Sequence, residues 1–113
     1  MLNIEIAAEK LFKIPERSTA VFVASDSMAL EVMAVARELG KNIPADLSIV
    51  GFDDNPSGLY GPVSLTTVRQ PLIKMAEEGV KELNRLMNSK KGTAGKKIIL
   101  PTELVVRESC RTI

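Results

Sequence analysis

Apolar positions change period along the chain, and each change marks an element. Between Leu2 and Ile14, the residues Ile4, Ala7, Ala8, Leu11 and Phe12 recur at i, i+3, i+4, i+7 and i+8, which predicts an amphipathic helix. Pro15 ends that pattern, and Glu16, Arg17 and Ser18 make a polar turn. Ala20–Ala24 is an unbroken apolar run, the pattern of a short strand covered on both faces. Ser25, Asp26 and Ser27 follow, and each can N-cap a helix. Met28–Leu39 then reads as a helix that can be covered on more than one side, with Gly40 placed to end it. Ile43–Asp46 is a loop, and Leu47–Phe52 is a second buried strand. Strand, helix and strand in this order predict a βαβ unit with parallel strands and a right-handed crossover.

The second half is less regular. Asp53–Pro62 holds two prolines, two glycines, Asn55 and Ser57, too many turn formers for a helix. Ser64–Val68 reads as a short extended piece. Pro71 suits the first turn of a helix, and Leu72, Met75, Ala76, Val80, Leu83, Leu86 and Met87 keep helical spacing to about Asn88. Ser89–Gly95 is a loop. Lys97–Leu100 and Glu103–Arg107 look like a final pair of β-runs separated by Pro101. The expected fold class is α/β, with a small, mainly parallel sheet flanked by helices.

Composition narrows the possible chemistry. The chain has 113 residues, 15 Lys and Arg against 14 Asp and Glu, and a net charge of +1. That balance excludes the strongly basic signature of an autonomous nucleic-acid binder. With no His, the usual serine triads, His-ligated metals and near-neutral proton shuttles are excluded. One Cys, Cys110, gives no internal disulfide and no zinc cluster. No Trp, one Tyr and three Phe argue against a base-stacking surface. Glu5 and Glu9 interrupt the first apolar pattern, which is unlike a secretory signal, and no stretch approaches the length of a membrane helix. The expectation is a cytoplasmic, non-catalytic protein with no cofactor, no metal and no membrane partner.

Few residues stand out as candidate sites. Asp26 follows the carboxyl end of a buried strand, where parallel α/β sheets bind ligands, and could accept hydrogen bonds from sugar hydroxyls or amines. The pattern alone favours a helix cap. Asp53, Asp54 and Asn55 lie at the other carboxyl edge, but consecutive acids suit neither a calcium loop nor a pair of glycosidase carboxylates, and a local turn is the simpler reading. Gly92–Lys97 fails as a phosphate loop on spacing, on the missing Ser or Thr and on element order. Arg85, Lys90, Lys91, Lys96 and Lys97 form a basic run that suits a helix C-terminus and a solvated loop. Tyr60, beside Leu59 in a Pro- and Gly-rich loop, can anchor a protein partner or cover the local core.

Four segments in order carry a resemblance: Ala20–Ala29 (AVFVASDSMA), Ile43–Asp54 (IPADLSIVGFDD), Leu65–Pro71 (LTTVRQP) and Leu100–Ser109 (LPTELVVRES). They resemble the C-terminal part of the LacI/GalR family of bacterial transcription regulators, over most of the chain from about Ile4 to Cys110. The LTTVRQP and LPTEL segments point to repressors more than to periplasmic sugar-binding proteins of the same type I fold.

The resemblance implies a portion of an effector-binding domain whose full-length members carry an N-terminal helix-turn-helix, a hinge and two lobes. In those members a sugar or similar small molecule binds between the lobes and alters the dimer's affinity for DNA. On this reading residues 1–113 are a C-terminal fragment, reaching DNA only through a head that lies elsewhere, and the 71–88 helix matches the N-terminal lobe. The matched positions make Asp26, Gln70, Leu72 and Met75 effector contacts. They make Tyr60, Leu65, Thr66 and Thr67 dimer contacts. The departures are Ser25 where Asn is frequent, and Pro62-Val63-Ser64 where consecutive prolines often precede LTT. Leaving the apolar stripe of the 71–88 helix wet is costly, because one buried Leu-sized side chain contributes about 1.5–3 kcal/mol. Repacking on its own lobe, or exchange with a second copy in a domain-swapped homo-oligomer, is therefore expected. The alternative reading is a fragment of a periplasmic-type sugar-binding protein serving transport.

Overall fold

The computed structural model describes residues 3–16 and 18–113; the expectations for Met1, Leu2 and Arg17 fall outside them. The chain divides into two units: a first that runs to Arg69 and resumes at Glu103, and a second spanning Gln70–Thr102.

The first unit holds helix α1 (Ile4–Lys13), strand β1 (Ala20–Phe22), helix α2 (Asp26–Glu38), strand β2 (Ser48–Val50), a 3₁₀ turn (Pro56–Leu59), and strands β3 (Thr67–Arg69) and β4 (Glu103–Val105). β1 and β2 are parallel, with Ala20, Val21 and Phe22 opposite Ser48, Ile49 and Val50, as the βαβ pattern predicts. A single parallel bridge between Val50 and Thr66 extends this layer, while β3 and β4 pair antiparallel, Arg69 opposite Glu103. The strands are shorter than their apolar runs because the backbone past Val50 bonds elsewhere. Gly51 N–H donates to Thr66 C=O at 2.9 Å, and Phe52 C=O accepts from Asp26 N–H at 3.0 Å.

The caps explain where α2 begins and ends. Ser25 is the N-cap, its Oγ accepting from Met28 N–H at 3.3 Å. At the other end Gly40 takes φ +67°, Gly40 N–H donates to Arg37 C=O and Lys41 N–H to Ala36 C=O, the doubled closure of a Schellman motif. α2 is covered on two sides, by α1 and by the 3₁₀ turn. The core consists of Ala8 and Phe12 from α1, Val23, then Ala29, Val32, Met33, Val35 and Ala36 from α2, with Leu47, Ile49 and Leu65.

The second unit is helix α3 (Leu72–Met87) followed by an extended return. Lys97–Leu100, expected as a β-run, is not a strand. Its alternation serves the helix instead: Lys96, Ile98 and Leu100 line a groove of about 430 Å³ with Met75, Leu83 and Leu86. Glu82 ties the return down, accepting from Lys96 N–H at 3.1 Å while paired with Arg85, whose guanidinium also donates to Ala94 C=O. No residue of α3 is fully buried: of its apolar stripe, Leu72, Met75, Val80, Leu83 and Met87 are exposed and Leu86 is half-buried.

Candidate carboxyl-edge site

The carboxyl ends of β1 and β2 lie side by side, since Val23 N–H donates to Val50 C=O at 2.8 Å and Asp26 N–H to Phe52 C=O. This brings Ser25 and Ser27 at the start of α2 to the same edge as Asp53 and Asp54 after β2. Parallel sheets present ligand sites at such edges.

Asp53 and Asp54 hold unusual backbone there, with φ +117° and +57°. Residues other than glycine enter this region at a cost of about 1–3 kcal/mol, and such strain concentrates at functional sites. Asp53 is exposed and its N–H is fixed to Val68 C=O at 3.0 Å. Asp54 turns the other way, into an ion cluster. Its Oδ2 accepts from Arg69 Nε at 2.7 Å and its Oδ1 from Arg107 Nη2 at 2.6 Å. Hydrogen bonds from Arg69 and then Arg107 hold the Asp54 carboxyl below its ordinary value of 3.8. Arg107 also donates to Leu65 C=O at 3.0 Å, and Arg69 sits 3.6 Å from Glu103 across the β3–β4 pair.

Asp26 lies beneath this edge. It is neither the cap nor an exposed contact: its side chain is 1% exposed, Oδ1 accepts from Thr67 Oγ1 at 2.7 Å and Oδ2 from Asn55 N–H at 2.6 Å. Its carboxylate occupies the space a side chain on Gly51 would need, since a Cβ there would overlap Asp26 Oδ1. The turn reading of the Asp-Asp-Asn stretch holds for Asn55, whose Oδ1 accepts from Ser57 N–H and Oγ. Asp54 adds long-range ion pairs with Arg69 and Arg107 to it.

The other matched positions divide sharply. Tyr60 is 85% exposed, with Leu59 beside it half exposed. Leu65 and Thr67 are fully buried and Thr66 nearly so, which removes these three from any surface a second subunit could touch in this conformation. They are occupied inside: Leu65 packs in the core, Thr66 Oγ1 accepts from Arg107 N–H, and Thr67 serves Asp26. In the second unit Gln70 is partly buried, while Leu72 and Met75 are exposed on α3. Ser109, which the sequence pattern does not single out, is a fully buried stitch: it donates to Ile49 C=O and accepts from Thr66 N–H. Among the described residues no group of His, Cys, Asp or Glu converges to hold a metal ion, and no helix is long and apolar enough to cross a membrane.

A parallel βαβ unit with its polar residues at the carboxyl edge, and a return pair formed by β3 and β4, define one class of fold. The chain belongs to the periplasmic binding protein-like domain family, which matches residues 2–110. Its relatives are LacI-type regulators. It is 44% identical over 104 residues to the HTH-type transcriptional regulator MalR of Clostridium butyricum, covering 92% of this chain and 30% of that protein. Among solved structures it superposes on the Lac repressor dimer bound to operator and the anti-inducer ONPF with a TM-score of 0.84 and 28% identity, over 96% of this chain and 37% of that one. A complex of the transcriptional regulator CelR with cellobiose gives 0.80 and 32% identity, over 94% and 32%. The chain thus spans about a third of the length of the regulators it matches.

Proposed function

We propose that this chain forms the effector-sensing and dimer-forming portion of a LacI/GalR-type regulator, acting in the cytoplasm and without catalysis, and that its effector is a sugar. The observation that carries this reading is Asp53, an exposed residue at the carboxyl edge of β2 on strained backbone. A carboxylate can accept from two sugar hydroxyls at once, with Ser25 and Ser27 adjacent as further polar partners. Asp26 then supports the site from inside, holding the edge in place. For Gln70, Leu72 and Met75 the support is the family resemblance together with their accessibility in their own unit. For dimer contact the support narrows to Tyr60 and Leu59. The relatives are regulators, which favours this reading over the transport alternative.

An NMR titration of the ¹⁵N-labelled chain with glucose, maltose and cellobiose tests it. Weak binding is expected, with shifts confined to the amides of Ser25–Ser27 and Phe52–Asp54 and lost in Asp53→Ala. No response at this edge to any of the three sugars, or a response unaffected by Asp53→Ala, overturns it.

A further inference from the structure

We propose that Asp54 is a positioning residue: clamped between Arg69 and Arg107, it holds the left-handed turn that keeps Asp53 at the carboxyl edge. This rests on the reading of Asp53 as an effector contact for its functional meaning, but its geometry stands apart from that reading.

Two consecutive aspartates with positive φ are costly, and something must hold them there. Backbone contacts account for part of it. Asp53 N–H is bonded to Val68 C=O, and Asp54 N–H donates to Thr67 Oγ1 at 3.3 Å. The Asp54 side chain adds to these, held by two guanidinium groups, one on each of its oxygens. Charge-assisted bonds of this kind are about twice as strong as neutral ones. Arg107 is well suited as an anchor because it is itself mostly buried and fixed to Leu65 C=O. Arg69 lies at the end of β3, opposite Glu103 of β4. The clamp therefore makes the rotation of the Asp53 peptide depend on the seating of both the β3 end and the segment after β4. Any shift of either arginine would relax the turn and move the Asp53 carboxylate. The lowered ionisation range of Asp54 agrees, since its charged form is the one the arginines hold.

Asp54→Asn is the informative variant, because Asn tolerates the left-handed region and keeps the side-chain shape while removing the charge. The readout is the amide–Hα coupling of Asp53, which differs between positive φ and relaxed extended backbone. The coupling is expected to move toward the extended value in Asp54→Asn, and part-way in Arg69→Gln, whose exposed site leaves the fold intact. Amides of Ala29–Ala36 serve as a check that the core is unchanged. Sugar-induced shifts in Asp54→Asn should require about 5-fold or more sugar to saturate. A role in stability alone would lower the melting temperature and leave the Asp53 coupling where it is in both variants, which overturns the proposal. If the wild-type chain answers to no sugar while the coupling moves as expected, the effector reading fails and the clamp stands.

Discussion

Thr67 Oγ1 donates a 2.7 Å hydrogen bond to Asp26 Oδ1, with both side chains buried and 41 residues apart in sequence. This bond fastens the first turn of α2 to β3 and, because Asp54 N–H donates to the same hydroxyl, to the turn that bears Asp53. The buried carboxylate is tolerated because each of its oxygens has a donor. Among the described residues no buried side-chain polar atom lacks a partner.

Thr67→Val keeps the shape and deletes the donor. A buried carboxyl oxygen left without its partner should cost about 1–3 kcal/mol. Urea unfolding followed by circular dichroism reads this as a lower midpoint with unchanged slope. Thr67→Ser, which keeps the hydroxyl, should lose less than Val.

Gly51 is required for space rather than for backbone freedom. A Cβ there would overlap Asp26 Oδ1 and stand 2.9 Å from Leu65 Cδ2, and both neighbours are fully buried. Gly51→Ala should therefore destabilise by about 1–3 kcal/mol, the usual cost of overpacking. Gly79→Ala on α3, where nothing lies within 4 Å, should instead be neutral or gain helix stability. Paired thermal melts of the two variants check the contrast.

Glu82 tests the second unit. The Arg85 hydrogen bond, aided by the Lys96 N–H, lowers its carboxyl from 4.5 to about 2. A depressed carboxylate contributes stability that is present above the ordinary value and lost as pH falls through the lowered one. The tether of the return segment should thus persist at pH 4 and release toward pH 2. In Arg85→Gln the Glu82 titration, followed by side-chain carboxyl NMR, should move up toward 4.5, and the tether should loosen at correspondingly higher pH.

What could be read from the pattern was whatever depends on near neighbours. The helix between the caps Ser25 and Gly40, the parallel pairing of the two apolar runs and the α3 spacing from Leu72 to Met87 all follow from local periodicity and punctuation. What escaped depends on partners far along the chain. Ser109 meets Ile49 across 60 residues, and no local signal marks a serine whose hydroxyl will be buried. Asp26 reads from the pattern as a helix cap or a ligand contact, yet Ser25 is the cap and Asp26's environment is set by Thr67 and Asn55. The Lys97–Leu100 run has the alternation of a strand but finds a helix to lie against. The LTT stretch matches a dimer-contact position of the family, whereas in this chain its hydroxyls are buried and bonded inside.

The pairing of Arg69 with Glu103 has an architectural consequence. The chain leaves the first unit and comes back to it at two residues that are already cross-strand partners, so the two ends of Gln70–Thr102 are fixed next to each other. A segment attached this way behaves as a cassette. Its length and composition can vary with little loop-closure cost to the host, since each doubling of a flexible loop adds only about 0.6 kcal/mol. Closure of the β3–β4 pair, and with it the carboxyl edge that its arginines support, accordingly does not depend on the length of the 70–102 segment.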